Sequence, residues 1–306
     1  MKIFNSFWLN VAAFILLLLP LTSNAQLWHR YRHEMFVGVG ASQMLGDLGG
    51  APTTAKGFSA MNLSATNLAT GIGYRYKISP RASFRTSLNW MRVSGDDSFT
   101  ENEGRKNRNL SVRTSITEVS PMIEVYLISD DVPRGTRYKG RYFRSRVSGV
   151  GVNFSLYVAT GVTALYYNPQ AEYEGTYYDL RELSTEGQGL EPGTSQYSQV
   201  AIAIPVNIGM KLNLDRYWSI GLEGGARFAF TDYLDDVSTD YYDNDAIREA
   251  YGDVAAALAD RRTVGRGGTG GIRGKDDNDA YFYLQFMVIR RFKSSGRGGV
   301  GSRPSF

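Results

Sequence analysis

The 306-residue sequence has no cysteine. That excludes disulfides, thiolate nucleophiles and thiolate metal sites. It has two histidines, His29 and His33, both near the start, which leaves little material for a histidine-dependent enzyme. Strong charge of one sign is missing as well. The 34 basic and 30 acidic residues leave a net +4, too little to argue for nucleic acid. Beyond the first 25 residues no apolar run is long enough to cross a bilayer as a helix. What is present is 42% hydrophobic and 21% charged residues, too apolar for a disordered chain and too charged for a helical membrane bundle. The 34 Gly, 20 Tyr, 15 Phe and 4 Trp lean toward β structure.

Residues 1–25 read as a cleaved signal peptide. Lys2 supplies a positive start, Val11 to Leu19 an apolar stretch, Pro20 a break, and Ser23-Asn24-Ala25 a small-residue cleavage site. No cysteine follows, so no lipoprotein anchor is expected.

The main signal is a two-residue hydrophobic period. From 200 to 214 every even position is apolar (Val200, Ile202, Ile204, Val206, Ile208, Met210, Leu212, Leu214), with Ala201, Pro205, Asn207, Gly209, Lys211 and Asn213 among the residues between. Residues 217–231 repeat the pattern after a tight Asp215-Arg216 turn. Segments near 34–45, 67–78, 82–93, 110–127, 152–166 and 280–292 also fit, making eight strands. Many exceed the ~5–6 residues of a soluble strand and match the ~9–11 needed to cross a bilayer at a tilt.

One face of these strands is apolar and aromatic. The other carries Gly, Ser, Asn and the charges Arg75, Lys77, Arg85, Glu118, Glu124, Lys211, Glu223 and Arg227. Together with the leader and aromatic strand ends (Trp90, Tyr166, Tyr167, Tyr217, Trp218, Tyr281, Phe292), this predicts an all-β, eight-stranded antiparallel outer-membrane β-barrel spanning 26–292, with lipid outside and a polar lumen. An eight-stranded bore is just wide enough for side chains to fill. The lumen charges are therefore expected to pair as a plug, with a pore or proton path as the alternative.

Short turns at 79–81 and 215–216 mark the periplasmic end, and long loops at 46–66, 94–109, 167–199 and 232–279 the outer end. The connection 128–151 breaks this rule. It is long and carries Arg134, Arg137, Lys139, Arg141, Arg144 and Arg146, interleaved with aromatics, as a solvated turn or as a docking site for an acidic partner or lipid head groups. Residues 293–306 read as a Gly-rich basic disordered tail. The outer loop opening with Asp232, Asp235 and Asp236 reads as a solvated acidic loop. Ca²⁺ binding is the alternative, although the spacing is not an EF-hand. A short helix is expected over Asp245–Asp260, capped by Asn244 or Asp245. Gly267–Gly271 lacks the Gly-Lys-Ser/Thr ending of a phosphate loop. No catalytic group, metal or cofactor is expected, because both histidines fall on the periplasmic side.

A set of segments in order carries a further signal: Gly46-Asp47-Leu48-Gly49, Tyr74-Arg75-Tyr76, Ser79-Pro80-Arg81, Arg108-Asn109-Leu110-Ser111, Asn168-Pro169-Gln170-Ala171, Thr185-Glu186-Gly187-Gln188-Gly189, Phe230 to Ser238, Leu258-Ala259-Asp260-Arg261 and Ile272-Arg273-Gly274-Lys275. As a set this resembles the PorG-like family of small outer-membrane barrels, which includes a component of the type IX secretion system. The resemblance implies a non-enzymatic scaffold in the outer-membrane lipid, with periplasmic ring proteins and an outer-membrane lipoprotein as partners, in protein export and gliding motility. It implies no nucleic acid. An outer-loop ligand binder or adhesin, or a small pore, are the other readings. The basic segment in 128–151 and the residues after Phe292 depart from the family pattern.

Overall fold

The computed structural model describes residues 31–45, 48, 66–100, 102–129, 154–191, 195–267, 270–274 and 278–293. The expected leader (1–25), most of loop 46–66, the tail beyond Lys293 and the basic residues Arg134, Arg137, Lys139, Arg141, Arg144 and Arg146 lie outside them.

Ten strands form one antiparallel sheet: β1 (His33–Leu45), β2 (Asn67–Ser79), β3 (Ala82–Asp96), β4 (Ser111–Ile128), β5 (Phe154–Gly161), β6 (Thr163–Tyr173), β7 (Thr176–Asp179), β8 (Val200–Asn213), β9 (Trp218–Ala229) and β10 (Ala280–Phe292). β10 pairs with β1 from His33↔Phe292 to Leu45↔Ala280, which closes the sheet. β5 and β6 both lie between β4 and β8, so they form one stave interrupted at Val162. β7 pairs with β6 alone and stands outside the ring. The result is an eight-staved barrel, as the period-2 pattern predicts.

The interruption has a local cause. Pro121 on β4 and Pro205 on β8 lie at this level on either side of the stave. Neither has an N–H to donate to a ladder. Pro121 accepts from Val162 N through its carbonyl (3.2 Å), and Thr160 Oγ1 donates to the Pro205 carbonyl (2.9 Å).

The two faces are inverted relative to a soluble barrel. Val37, Ile72, Leu88, Ile123, Val158, Ile202, Val206, Ile208, Leu222, Leu284 and Phe286 point outward and are exposed. Arg75, Arg85, Glu118, Glu124, Lys211, Glu223 and Arg227 point inward and are buried. An apolar wall around a charged interior suits lipid as solvent. This chain is an outer-membrane β-barrel. Tyr217, Trp218 and Phe292 at one end, and Trp90, Tyr166 and Phe230 at the other, expose rings at the wall's edges, where aromatic girdles sit. Tyr167 and Tyr281 do not join them. Both are fully buried in the interior, because they share the inward parity of their strands.

At the outer end the described parts of the predicted loops 94–109, 167–199 and 232–279 are largely structured. The fifth stave runs on to Tyr173 and turns back through β7, where a loop from 167 is expected. Residues 94–109 contain the end of β3, a 3₁₀ turn (Asp97–Phe99) and α1 (Glu103–Arg108). α2 (Leu180–Leu183) follows β7. The helix expected over 245–260 is two helices, α3 (Asn244–Tyr251) and α4 (Asp253–Ala259), separated at Gly252. α3 is capped by Asp243, whose side chain accepts from Asp245 N and Ala246 N. Gly252 adopts φ +91°, a left-handed backbone that favours glycine. Leu110, Val112, Leu180, Val237 and Leu258 form the core of this outer cap.

Candidate functional site

The bore holds a continuous ionic chain. Glu34, the second residue of β1, receives Arg75 Nη1 (2.8 Å), Lys211 Nζ (3.1 Å), Arg291 Nε (3.2 Å) and Lys77 Nζ (3.4 Å). Arg75 also forks onto Glu124, with Nε–Oε2 at 2.5 Å and Nη2–Oε1 at 2.8 Å. Arg85 bridges Glu124 (3.1 Å) and Glu223 (2.5 and 2.9 Å). Arg227 then holds Glu118 at 2.8 Å. Asn207 joins the two parts, donating to Glu223 Oε1 (2.9 Å) and accepting from Arg227 Nη1 (2.7 Å). Every charge has a partner of opposite sign, as charges removed from water require.

Tyrosines complete the network. Tyr157 and Tyr283 donate to Glu223 at 2.7 and 2.9 Å, and Tyr281 donates to Glu118 at 2.6 Å. Tyr157 gets there by lying against Gly209. A Cβ built at Gly209 would sit 2.3 Å from Tyr157 Cζ. The glycine is therefore required by the ring that crosses it.

All eight charges picked out in the sequence are in this network. Six of the partners just named were not among them: Glu34, Arg291, Asn207, Tyr157, Tyr281 and Tyr283. A signal for Glu34 does exist. It shares the parity of Phe36 and Ser42, while Met35, Val37 and Val39 alternate outward.

Above the ionic layer the bore is sealed by Met44, Met91, Val93, Ile116, Leu165, Tyr281 and Leu234. Tyr167, Tyr197 and Tyr233 stack over one another, with centroids 6.3 and 4.5 Å apart. The cap then closes through a second set of buried charges. Glu186 accepts from Ser238 N (3.0 Å), Thr239 Oγ1 (2.8 Å) and Arg273 Nη1 (2.8 Å). Arg273 Nη1 also donates to the Asp236 carbonyl (2.5 Å). Asp236 takes bonds from Thr185 Oγ1 and from Tyr197 Oη (2.7 Å). Arg108 forks onto Asp97 at 2.8 Å through both Nε and Nη2, and reaches the Arg273 carbonyl with Nη1 (2.6 Å). Asp97 also accepts from Leu110 N (3.1 Å), which fixes the excursion from β3 to β4.

The expectation of a solvated acidic loop is therefore corrected. Asp232, Asp235, Asp236 and Asp260 are all buried. Protein donors take the place of water: Thr185 and Tyr197 on Asp236, Val237 N on Asp235, and Arg262 with Gly267 N on Asp260. Burial pushes the Asp236 carboxyl up to about 6, outweighing the opposing pull of Arg273 and its hydrogen bonds. Among the described residues no group of three or more His, Asp or Glu is placed to hold a metal ion. An open cleft of about 740 Å³ lies on the outer surface, lined by Phe230, Asp232, Tyr233, Asp240 and Ile272 among others.

A family model for a domain of unknown function, DUF6089, matches residues 10–256. The chain belongs to the DUF6089 family. No curated protein matches it in sequence. Solved structures similar to this member of the family include Ail, the attachment invasion locus protein of Yersinia pestis, in complex with the heparin analogue sucrose octasulfate (9% identity, TM-score 0.38, 86% of this chain and 99% of that one). Others are the outer membrane protein OprG of Pseudomonas aeruginosa (8%, 0.37, 87% and 98%) and Neisserial surface protein A (7%, 0.36, 85% and 96%).

Proposed function

We propose that this DUF6089 barrel is a non-enzymatic membrane anchor that scaffolds a periplasmic assembly, in a machine of the type IX secretion kind. The observation that carries the reading is the filled bore. The Glu34–Arg75–Glu124–Arg85–Glu223 chain crosses the interior and an apolar layer seals it above, so the work of the protein falls to its two ends. At the periplasmic end the staves finish in tight turns at 79–82 and 213–218, and the long connection between Ile128 and Phe154 leaves from the same end. That connection carries the cations Arg134 to Arg146, suited to an acidic protein surface. The sequence segments resembling the PorG-like family support the same partners: periplasmic ring proteins and an outer-membrane lipoprotein.

The test is a mild-detergent pull-down of the tagged mature protein from its own outer membrane, followed by mass spectrometry. Ring-forming periplasmic proteins and a lipoprotein should be recovered. Charge reversal at Arg137, Lys139 and Arg141 should lose them while the barrel stays folded. A folded barrel recovered alone overturns the reading. A role in outer-surface binding is the second reading, favoured by the folded cap with its buried Glu186–Arg273 pair.

A further inference from the structure

Four cations of the outer cap each hold a carboxylate: Arg108 on Asp97, Arg248 on Asp245, Arg262 on Asp260 and Arg273 on Glu186. The periplasmic rim differs. Arg216 in the β8–β9 turn, Arg290 near the end of β10 and Lys293 just after it are all exposed. Among the described residues none of the three has a carboxylate partner.

Arg290 is placed on the membrane wall, not over the mouth of the bore. It shares the outward parity of Leu284, Phe286 and Val288, which are exposed on the apolar face. Its cross-strand partner on β9 is Trp218. The guanidinium carbon lies 5.2 Å from the centre of the Trp218 ring and 5.6 Å from that of Phe292. Girdle rings mark the level of the lipid head groups. A cation held against two of them is therefore at the depth of the lipid phosphates.

The acids of this sector do not neutralise the cluster. Glu34 is buried in the bore among its own cations. Asp215 accepts from Tyr217 N (2.6 Å) and Trp218 N (2.7 Å) through one oxygen, which leaves one carboxylate against three cations. Tyr31 packs edge-on against Tyr217 at 5.8 Å, so the start of β1 reaches the same hairpin. The sequence on either side, 26–32 and 294–306, contains Arg30, Arg32, Arg297 and Arg303 and no Asp or Glu.

We propose that the face formed by Arg216, Trp218, Arg290 and Lys293 binds an anionic phospholipid of the periplasmic leaflet. The phosphate sits against Arg290, and the acyl chains run along the wall over Val288 and Leu222. Basic residues beside a membrane attract anionic head groups in this way. An acidic protein is the competing occupant. Parity favours lipid, because Arg290 faces sideways with the apolar wall. The site also stands apart from the basic connection of the proposed scaffold. That connection leaves β4, four staves from β10 in either direction round the ring. The lipid site therefore holds whether or not a periplasmic partner is recruited.

The experiment reads Trp218 as the reporter. Trp28→Phe with Trp90→Phe leaves it the one tryptophan of residues 26–306. The folded mature chain is reconstituted in phosphatidylcholine vesicles, and quenching is compared for dibrominated phosphatidylglycerol and dibrominated phosphatidylcholine. Both leaflets carry the probe, so the direction of insertion does not matter. Phosphatidylglycerol should be preferred at least about fivefold, the effect of one cation at a head group. Arg290→Gln should bring the two lipids close to parity. Arg216→Gln with Lys293→Gln should lower the preference part of the way. Arg92→Gln removes the cation over Trp90 at the opposite girdle and should leave the preference unchanged. Equal quenching by both lipids in the parent overturns the proposal and leaves these cations to an acidic protein surface. It is also overturned if the preference survives Arg290→Gln intact, or if Arg92→Gln lowers it as much.

Discussion

Arg85 on β3 and Glu223 on β9 meet across the bore, 138 residues apart in the chain, through two bonds of 2.5 and 2.9 Å. Neither is on a neighbouring strand of the other, so the bond ties opposite walls of the barrel. Arg85→Ala would leave Glu223 buried beside Tyr157 and Asn207 with no cation, and would halve the cationic support of Glu124. The expected loss is about 3–5 kcal/mol, the cost of orphaning a buried charge. Replacing both, as Arg85→Met with Glu223→Gln, should cost less than the sum of the single changes. Urea unfolding of the barrel in micelles, followed by tryptophan fluorescence, reads both. Additive losses would contradict a direct pair.

The same chain of pairs predicts a silent protein in planar bilayers. Ions would have to pass the Glu34, Glu124 and Glu223 levels, where each carboxylate is held by at least one arginine. An eight-stranded bore has no spare width beside them. Glu118→Ala combined with Arg227→Ala removes the uppermost pair, yet should still leave conductance absent, because the lower pairs remain. Discrete current steps from the parent protein would show that the plug opens.

The barrel was legible because lipid and lumen impose opposite chemistries on alternate residues. Val200 to Leu214 could be assigned to faces from parity alone, and so could Arg75, Lys211 and Arg227. The pairing was not legible. Arg85–Glu223 and Arg227–Glu118, 109 residues apart, depend on stagger and closure, which the period does not encode. The cap was hidden for a different reason. Asp232, Asp235 and Asp236 look solvated by composition, and Thr185, Glu186, Tyr197 and Arg273, which bury them, come from distant loops. The stave broken at Val162 could have been suspected from Pro121 and Pro205, but only once β4, β5 and β8 were known to be neighbours.

Gly209 offers a sharper test of the packing. Its missing side chain lets the Tyr157 ring cross β8 and place Oη on Glu223. In Gly209→Ala the Cβ would fall 2.4 Å from that hydroxyl oxygen. The ring must tilt away and the bond to Glu223 must lengthen or break. The expected cost is about 1–3 kcal/mol from overpacking. Adding Tyr157→Phe should change little further, since the bond is already lost. A Gly209→Ala barrel as stable as the parent would mean that the ring does not sit there.

Asp236 should give the cap a pH dependence of known sign. Its carboxyl is raised from an ordinary 3.8 to about 6, first by burial and further by nearby Glu186. Below pH ~4 it is protonated in folded and unfolded cap alike and imposes no penalty. Between ~4 and ~6 the unfolded form releases the proton first, so cap stability falls as pH rises. Above ~6 the loss is complete, about 3 kcal/mol for a shift of roughly two units. Amide hydrogen exchange in residues 230–241, corrected for intrinsic rates, should show protection falling from pH 4.5 to 6.5 and then levelling. Asp236→Asn keeps one acceptor oxygen, for one of the Thr185 and Tyr197 hydroxyls, and cannot ionise, so its protection, lower or not, should stay flat over that range. Parallel curves for parent and variant would place the titrating group elsewhere.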